Sequence, residues 1–243
     1  MGGDRIMDMD KGKLFLIPSA LGEKDFDFLF PRFNAEIINE IDVYIVEDFR
    51  TGRRFLKKLG VRKAIDELEF FLLNEHTQGV DLNEYLHCCE EGKNVGLMSD
   101  AGTPCIADPG NVVVAKAHQL GIEVVPLIGP NSIVLALMGS GFNGQSFAFN
   151  GYLPVEQDRR ESRLKSLETL VIKNNQTQLF IETPYRNNHL FQSILRVCQP
   201  DTRLCVACNM ATDEQFLKSQ SVARWRKEQI DLHKKPTVFV LGR

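Results

Sequence analysis

The sequence predicts an α/β protein built from two α/β domains, a mostly parallel sheet in the N-terminal one and a mixed sheet in the C-terminal one. Three observations predict it. Short apolar runs alternate with helical stretches throughout residues 13–139, the signature of βαβ units. Those runs are continuously apolar rather than alternating, as in strands buried on both faces. After the glycine-rich stretch 139–145 the strands fall closer together, which favours mixed pairing.

The elements follow in order. Leu14 to Pro18 is a first strand, and Phe33 to Asn39 has helical spacing. Val43 to Val46 is a second strand. Phe49 to Leu59 is a helix that Gly60 stops. Phe70 to Leu73 is a third strand, and Asp81 caps a helix running to Glu91. Val95 to Met98 is a strand, Asn111 to Leu120 a helix closed by Gly121, and Glu123 to Leu127 a strand. A helix begins at Pro130. In the second half, strands are expected at 146–150, 178–181, 203–208, 215–219 and 237–241. Helices are expected at 156–173 and 184–198, with a short one through Trp225. The expected division is a polar tail 1–12, disordered or a cloning remnant, then domains 13–139 and 140–243.

Composition narrows the function. The 243 residues are 43 % hydrophobic and 25 % charged, an ordinary globular balance. No apolar run is long enough to span a bilayer and the start has no signal-peptide core, so a cytoplasmic protein with no membrane partner is expected. The net charge of -3 removes the whole-chain positive excess typical of nucleic-acid binders, although a local basic patch would suffice. Cys205 and Cys208 form a CxxC, but no second pair has metal spacing and the segment reads as a strand. Small buried side chains are the better reading, and no metal is expected.

In an open parallel sheet, ligands bind beyond the carboxyl ends of the strands. The loop Pro18–Gly22 lacks the glycine pattern of a dinucleotide site and the lysine of a phosphate loop. The loop Ser99–Gly110 is longer than a connector needs and holds two glycines, two prolines and two aspartates. Its prolines stiffen it, and Asp108-Pro109 reads as a helix cap followed by a first helical proline. A third loop, Ile128–Ile133, turns through Gly129 and Pro130, with Ser132 placed to cap the next helix or to contact a ligand.

Residues 98–110 resemble the signature loop of the ribosomal RNA small-subunit methyltransferase I family, a branch of the tetrapyrrole methylase superfamily. Leu14–Pro18 with Gly22, Glu47-Asp48 with Arg50, Val124–Pro130, Gly151–Pro154, Phe180–Arg186 and Lys235–Val240 are similar to further motifs of that family. The resemblance covers nearly everything from Lys13 onward. It implies S-adenosyl-L-methionine as cofactor, held in an active cleft between the domains, and a homodimer. Carried over, cofactor contacts would come from Pro18, Ala20, Asp100, Ala101, Gly102, Thr103, Ile106, Ser132 and Ile133, with Ile181, Met210 and Thr237 from the second domain. The isoleucines suit the adenine. The methyl donor is already activated, so the demand on the protein is proximity and alignment.

A ribose hydroxyl acceptor has to lose a proton, and Glu47, Asp48, Asp100 and Glu182 are candidates near the site. Arg50 and Arg186 can meet a phosphate, a carboxylate or a neighbouring acid. Glu47, Asp48, Glu182 and Arg186 are therefore the candidate catalytic residues, against a plain reading as cleft-wall ion pairs. The chain departs from the family at Phe49, where threonine is usual, at Tyr185, where histidine is usual, and over Ala207–Thr212, which lacks an Arg, a Glu and a Lys. The expected partner is thus RNA or a small methyl acceptor such as a tetrapyrrole, with a non-catalytic cofactor-binding protein as the third reading.

Overall fold

A computed structural model describes residues 11–22, 30–74, 76–77 and 81–243. The first ten residues, part of the expected tail, lie outside them. The chain divides into two compact units, Met1–Pro130 and Asn131–Arg243.

The first unit holds strands β1 (Leu14–Ile17), β2 (Val43–Val46), β3 (Glu69–Leu72), β4 (Val95–Met98) and β5 (Val124–Pro126). Its helices are α1 (Arg32–Ile38), α2 (Phe49–Leu59), α3 (Leu82–Glu90) and α4 (Asn111–Gln119), with a short 3-10 turn at Ile65–Glu67. The sheet order is β3-β2-β4-β1-β5 and every pairing is parallel. Side chains alternate across it. Leu14, Val43, Ile45, Val95 and Leu97 pack under α3 and α4 with Leu86 and Val113. Phe15, Ile17, Tyr44, Val46 and Met98 pack under α1 and α2 with Ile38 and Leu56. Both faces are covered, which is why the strands read as unbroken apolar runs. Gly96 makes the centre possible: a Cβ there would stand 2.7 Å from Ile17 Cδ1 and 2.9 Å from Tyr44 Cδ1.

Strands β1 and β4 are neighbours, yet the chain leaves β1 towards β2 and leaves β4 towards β5. Right-handed crossovers in opposite directions put their helices on opposite faces and open a crevice where the connections part.

The second unit contains α5 (Ser132–Ser140), β6 (Phe147–Tyr152), α6 (Gln157–Asn174), β7 (Thr177–Ile181), α7 (Asn187–Val197), β8 (Arg203–Cys208), β9 (Phe216–Ser221), α8 (Val222–Trp225) and β10 (Thr237–Gly242). Its sheet runs β6-β7-β10-β8-β9. The β6–β7 pair is parallel and the other pairs are antiparallel, giving the expected mixed sheet. One face packs on α6, α7 and α8 around Phe180, Phe191, Trp225 and Phe239, and the other on α5. The glycine-rich stretch 139–145 lies inside this unit, because Ala136 and Leu137 of α5 pack with Leu179, Cys205 and Val240 of the second sheet. Cys205 and Cys208 sit in opposite cores. Three residues apart on a strand, they point to opposite faces and cannot share a ligand. Burial pushes the Cys205 thiol up to about 12, so it stays protonated.

Candidate functional site

Three loops leave the carboxyl ends of β1, β4 and β5, and the structure brings them together within the first unit. Ser19 N–H donates to Gly102 O at 2.8 Å and Gly102 N–H to Ser19 O at 3.1 Å. Ser19 Oγ donates to Ser99 O at 2.7 Å, so a buried hydroxyl fastens the first loop to the second. Gly102 has φ +78, a left-handed shape that costs a residue bearing a Cβ. The third loop closes on the first at Gly129, where a Cβ would lie only 2.3 Å from Pro18 Cβ. Asn34 Nδ2 ties that loop down by donating to Ile128 O at 2.7 Å.

The Ser99–Gly110 loop holds strain that its glycines do not account for. Cys105 has φ +69 and Ala107 φ +64. Such residues persist only where surrounding contacts over-determine them, and they concentrate at functional loops. Asp108 does not cap α4: its Oδ1 accepts from Gly110 N–H at 2.7 Å, and the helix begins at Asn111 with Gly110 in the cap position. Asp108 instead closes the turn leading into the helix. Ser132 is not the cap of α5 either. Asn131 accepts from both Ile133 and Val134 N–H at 3.0 Å, which makes Ser132 the first helical residue.

Carboxylates crowd this end of the sheet. Glu47 Oε1 accepts from the Asp100 N–H at 2.9 Å, joining the end of β2 to the loop after β4. Burial is the largest cause that holds the Glu47 carboxyl above its ordinary range, with Asp108 and Asp100 adding repulsion against the lowering effect of that hydrogen bond. Asp100 is raised by burial and by Asp48, and Arg54 opposes the rise. Asp48 is different in kind. It caps α2 by accepting from Thr51 N–H at 2.8 Å, and bonds to Thr51 pull its pKa down. Alongside Asp100 and Ala101, the residues Ser19–Gly22 and the α2 side chains Thr51, Arg54 and Lys58 line a cleft of about 270 Å3.

The raised Glu47 carboxyl carries a sign that can be measured. A raised pKa stabilises the fold fully below the ordinary value of 4.5 and loses that contribution as pH climbs through the folded value. Glu47→Gln keeps an oxygen for the Asp100 N–H and removes the charge. The variant should melt above wild type at pH 7, with the gap closing by pH 4, in calorimetry of the donor-free protein. A gap of the opposite sign at pH 7 would mean that the charged hydrogen bond outweighs desolvation.

In the second unit, Ile133, Ile181 and Met210 pack into one apolar cluster with Ala136, Leu137, Ala207 and Val238. Thr237 opens β10 opposite Cys208. Met210 lies between two left-handed residues, Asn209 (φ +49) and Ala211 (φ +59), in a turn held by Thr212 Oγ1 donating to Asn209 O at 2.8 Å. Glu182 and Arg186 form an ion pair at 2.7 Å, and the same Glu182 oxygen also accepts from Thr183 N–H at 2.7 Å. Ile106 is exposed on its loop.

No family model matches the chain. Curated relatives do. It is 32 % identical over 215 residues to the Ribosomal RNA small subunit methyltransferase I of Pseudomonas aeruginosa, covering 88 % of this chain and 72 % of that one. The protein of the same name from Thermotoga maritima is 31 % identical over 222 residues, with 90 % and 94 % covered. The chain belongs to the ribosomal RNA small subunit methyltransferase I family. Among solved structures, the methyltransferase CobJ superposes with a TM-score of 0.63 at 16 % identity, covering 96 % of this chain and 94 % of that one. Uroporphyrin-III-C-methyltransferase from Thermus thermophilus gives 0.57 at 16 %. Both likenesses are of fold.

As a methyltransferase I, this chain departs from the family at definable places. Phe49 is the first residue of α2 and is exposed, so its ring takes no part in the core. Tyr185 is 66 % exposed, with Lys234 Nζ 5.8 Å over its ring. Sequence reasoning passed over one feature of this methyltransferase, the cations of α2. The signal was present, since residues 49–65 contain no Asp or Glu.

Proposed function

We propose that this methyltransferase transfers a methyl group from S-adenosylmethionine to a ribose 2'-hydroxyl of ribosomal RNA, acting as a cytoplasmic homodimer. The observation that carries the cofactor assignment is the mutual locking of the loops after β1, β4 and β5 beside the crowded carboxylates Glu47 and Asp100. Carboxylates that burial and repulsion hold above their ordinary pKa are relieved by an arriving positive charge. S-adenosylmethionine has two such charges, a sulfonium and an ammonium, so the residues fit it. Pro18, Ala20, Asp100, Ala101, Gly102, Thr103 and Ile106 would hold it from the first unit. Family membership supports the RNA acceptor.

The bound cofactor supplies a methyl group already activated for displacement. What remains for the chain is to align the acceptor and take its proton. Glu47 is the better base, because its raised pKa brings it nearer the working pH while the Asp100 N–H holds the carboxylate in place. Asp48 is occupied in capping α2, and Glu182 in binding Arg186 and Thr183. The test is incorporation of labelled methyl groups into small ribosomal subunits from a strain lacking this protein. Transfer to RNA is expected. Intact donor binding without transfer to subunits would refute the RNA acceptor.

A further inference from the structure

We infer that the outward face of α2 is a docking strip for the phosphate backbone of the RNA acceptor; this rests on the ribosomal RNA reading above. Five of the eleven residues of α2 are cations: Arg50, Arg53, Arg54, Lys57 and Lys58, and all five are exposed. The spacing of three and four places them along one side, while Gly52, Phe55 and Leu56 are buried on the other. At 1.5 Å per residue the strip is about 12 Å long.

A solvated helix face does not explain this charge. Lys57 and Lys58 in the last turn suit the helix dipole and Arg53 stands 5.2 Å over the Phe70 ring, but Arg50 in the first turn opposes the dipole. Arg50–Arg54, Arg53–Lys57 and Arg54–Lys58 are like-charge pairs at i,i+4, each unfavourable for the helix. The chain carries this repulsion although its net charge is -3. The strip is also rigid: Gly52 lies so close to β2 that a Cβ would meet Val46 Cγ1 at 2.8 Å, and Asp48 caps the helix.

Position ties the strip to the reaction. Arg54 and Lys58 line the same cleft as Asp100, while Arg53 and Lys57 continue the charge outward from it. A strand of RNA laid along α2 would meet guanidinium groups, which pair bidentately with phosphate, and would be led to the cleft.

The experiment measures binding of a fluorescent single-stranded fragment of ribosomal RNA from low to high salt. Each phosphate contact contributes a slope of about -0.7 in log affinity against log salt. Arg53→Gln/Lys57→Gln should flatten the slope by about 1.4 and weaken binding roughly tenfold at low salt, with donor affinity unchanged. Lys165→Gln/Lys173→Gln, which removes two exposed cations from α6, should leave both unchanged. A wild-type slope in the α2 variant overturns the inference, as does an equal change in the α6 variant or the absence of RNA binding by the wild type. Loss of binding to polyglutamate alone, with RNA binding intact, would assign the strip to an acidic protein and also overturn it. Methyl transfer into subunits by the wild type, measured in parallel, judges the RNA acceptor separately.

Discussion

Asp100→Ala is expected to weaken S-adenosylmethionine binding roughly 10- to 100-fold, from the loss of about 1.5–3 kcal/mol for a charged contact. Methyl transfer should fall with it. The donor-free protein should be no less stable than wild type. Asp100 repels Glu47, and its own carboxyl is held high by burial and by Asp48, so its removal relieves strain. Its backbone N–H still donates to Glu47. A residue whose loss leaves the apo fold intact while abolishing ligand binding is there for the ligand. Isothermal titration paired with calorimetric melting reads both quantities. Unchanged donor affinity would remove Asp100 from the cofactor site, and a large drop in melting temperature would make its role structural.

Trp225→Ala should be among the most damaging changes to the fold. Trp225 is fully buried, donates from Nε1 to Leu204 O at 2.9 Å, and meets the Phe191 ring edge-on at 5.6 Å. It closes the core beneath α7 and ends a four-residue helix that Ser221 caps. Truncation leaves a cavity and removes a hydrogen bond to the Leu204 carbonyl, for a loss of about 3–5 kcal/mol. The melting temperature of the second unit should drop by roughly 10–20 °C. Trp225→Phe keeps most of the apolar volume and should cost much less. If both variants melted like wild type, the packing around Phe191 would not bear on stability.

The fold class was legible for a physical reason. In a sheet covered on both faces, every strand position is apolar, so Val43–Val46 and Val95–Met98 stand out as runs. Helix ends were legible where a residue type has one job: Gly60 with φ +80 after α2, and Asp81 accepting from Asn83 N–H before α3. The reading was less good where neighbours compete for that job. Asn131 took the cap of α5 from Ser132, and Gly110 replaced Asp108 before α4. The unit boundary at Pro130 depends on which sheet α5 packs against, which its apolar sequence does not encode.

The site divides the same way. The composition of Ser99–Gly110 marked it as more than a connector, because glycine and proline constrain the backbone locally. The left-handed Cys105, Ala107 and Ala211 left no mark, since their side chains have no preference for that shape and only surrounding contacts impose it. By itself the sequence determined the alternation of elements and the unusual composition of the Ser99–Gly110 loop, and it holds the five cations of α2 that the reading passed over, all consequences of local residue chemistry. Only the tertiary structure decided the strand order β3-β2-β4-β1-β5, the Ser19–Gly102 lock and the bond from Asp100 N–H to Glu47. Each of these joins residues dozens of positions apart, and such pairings are selected by burial and hydrogen bonding in the folded chain, not by any residue's own preference.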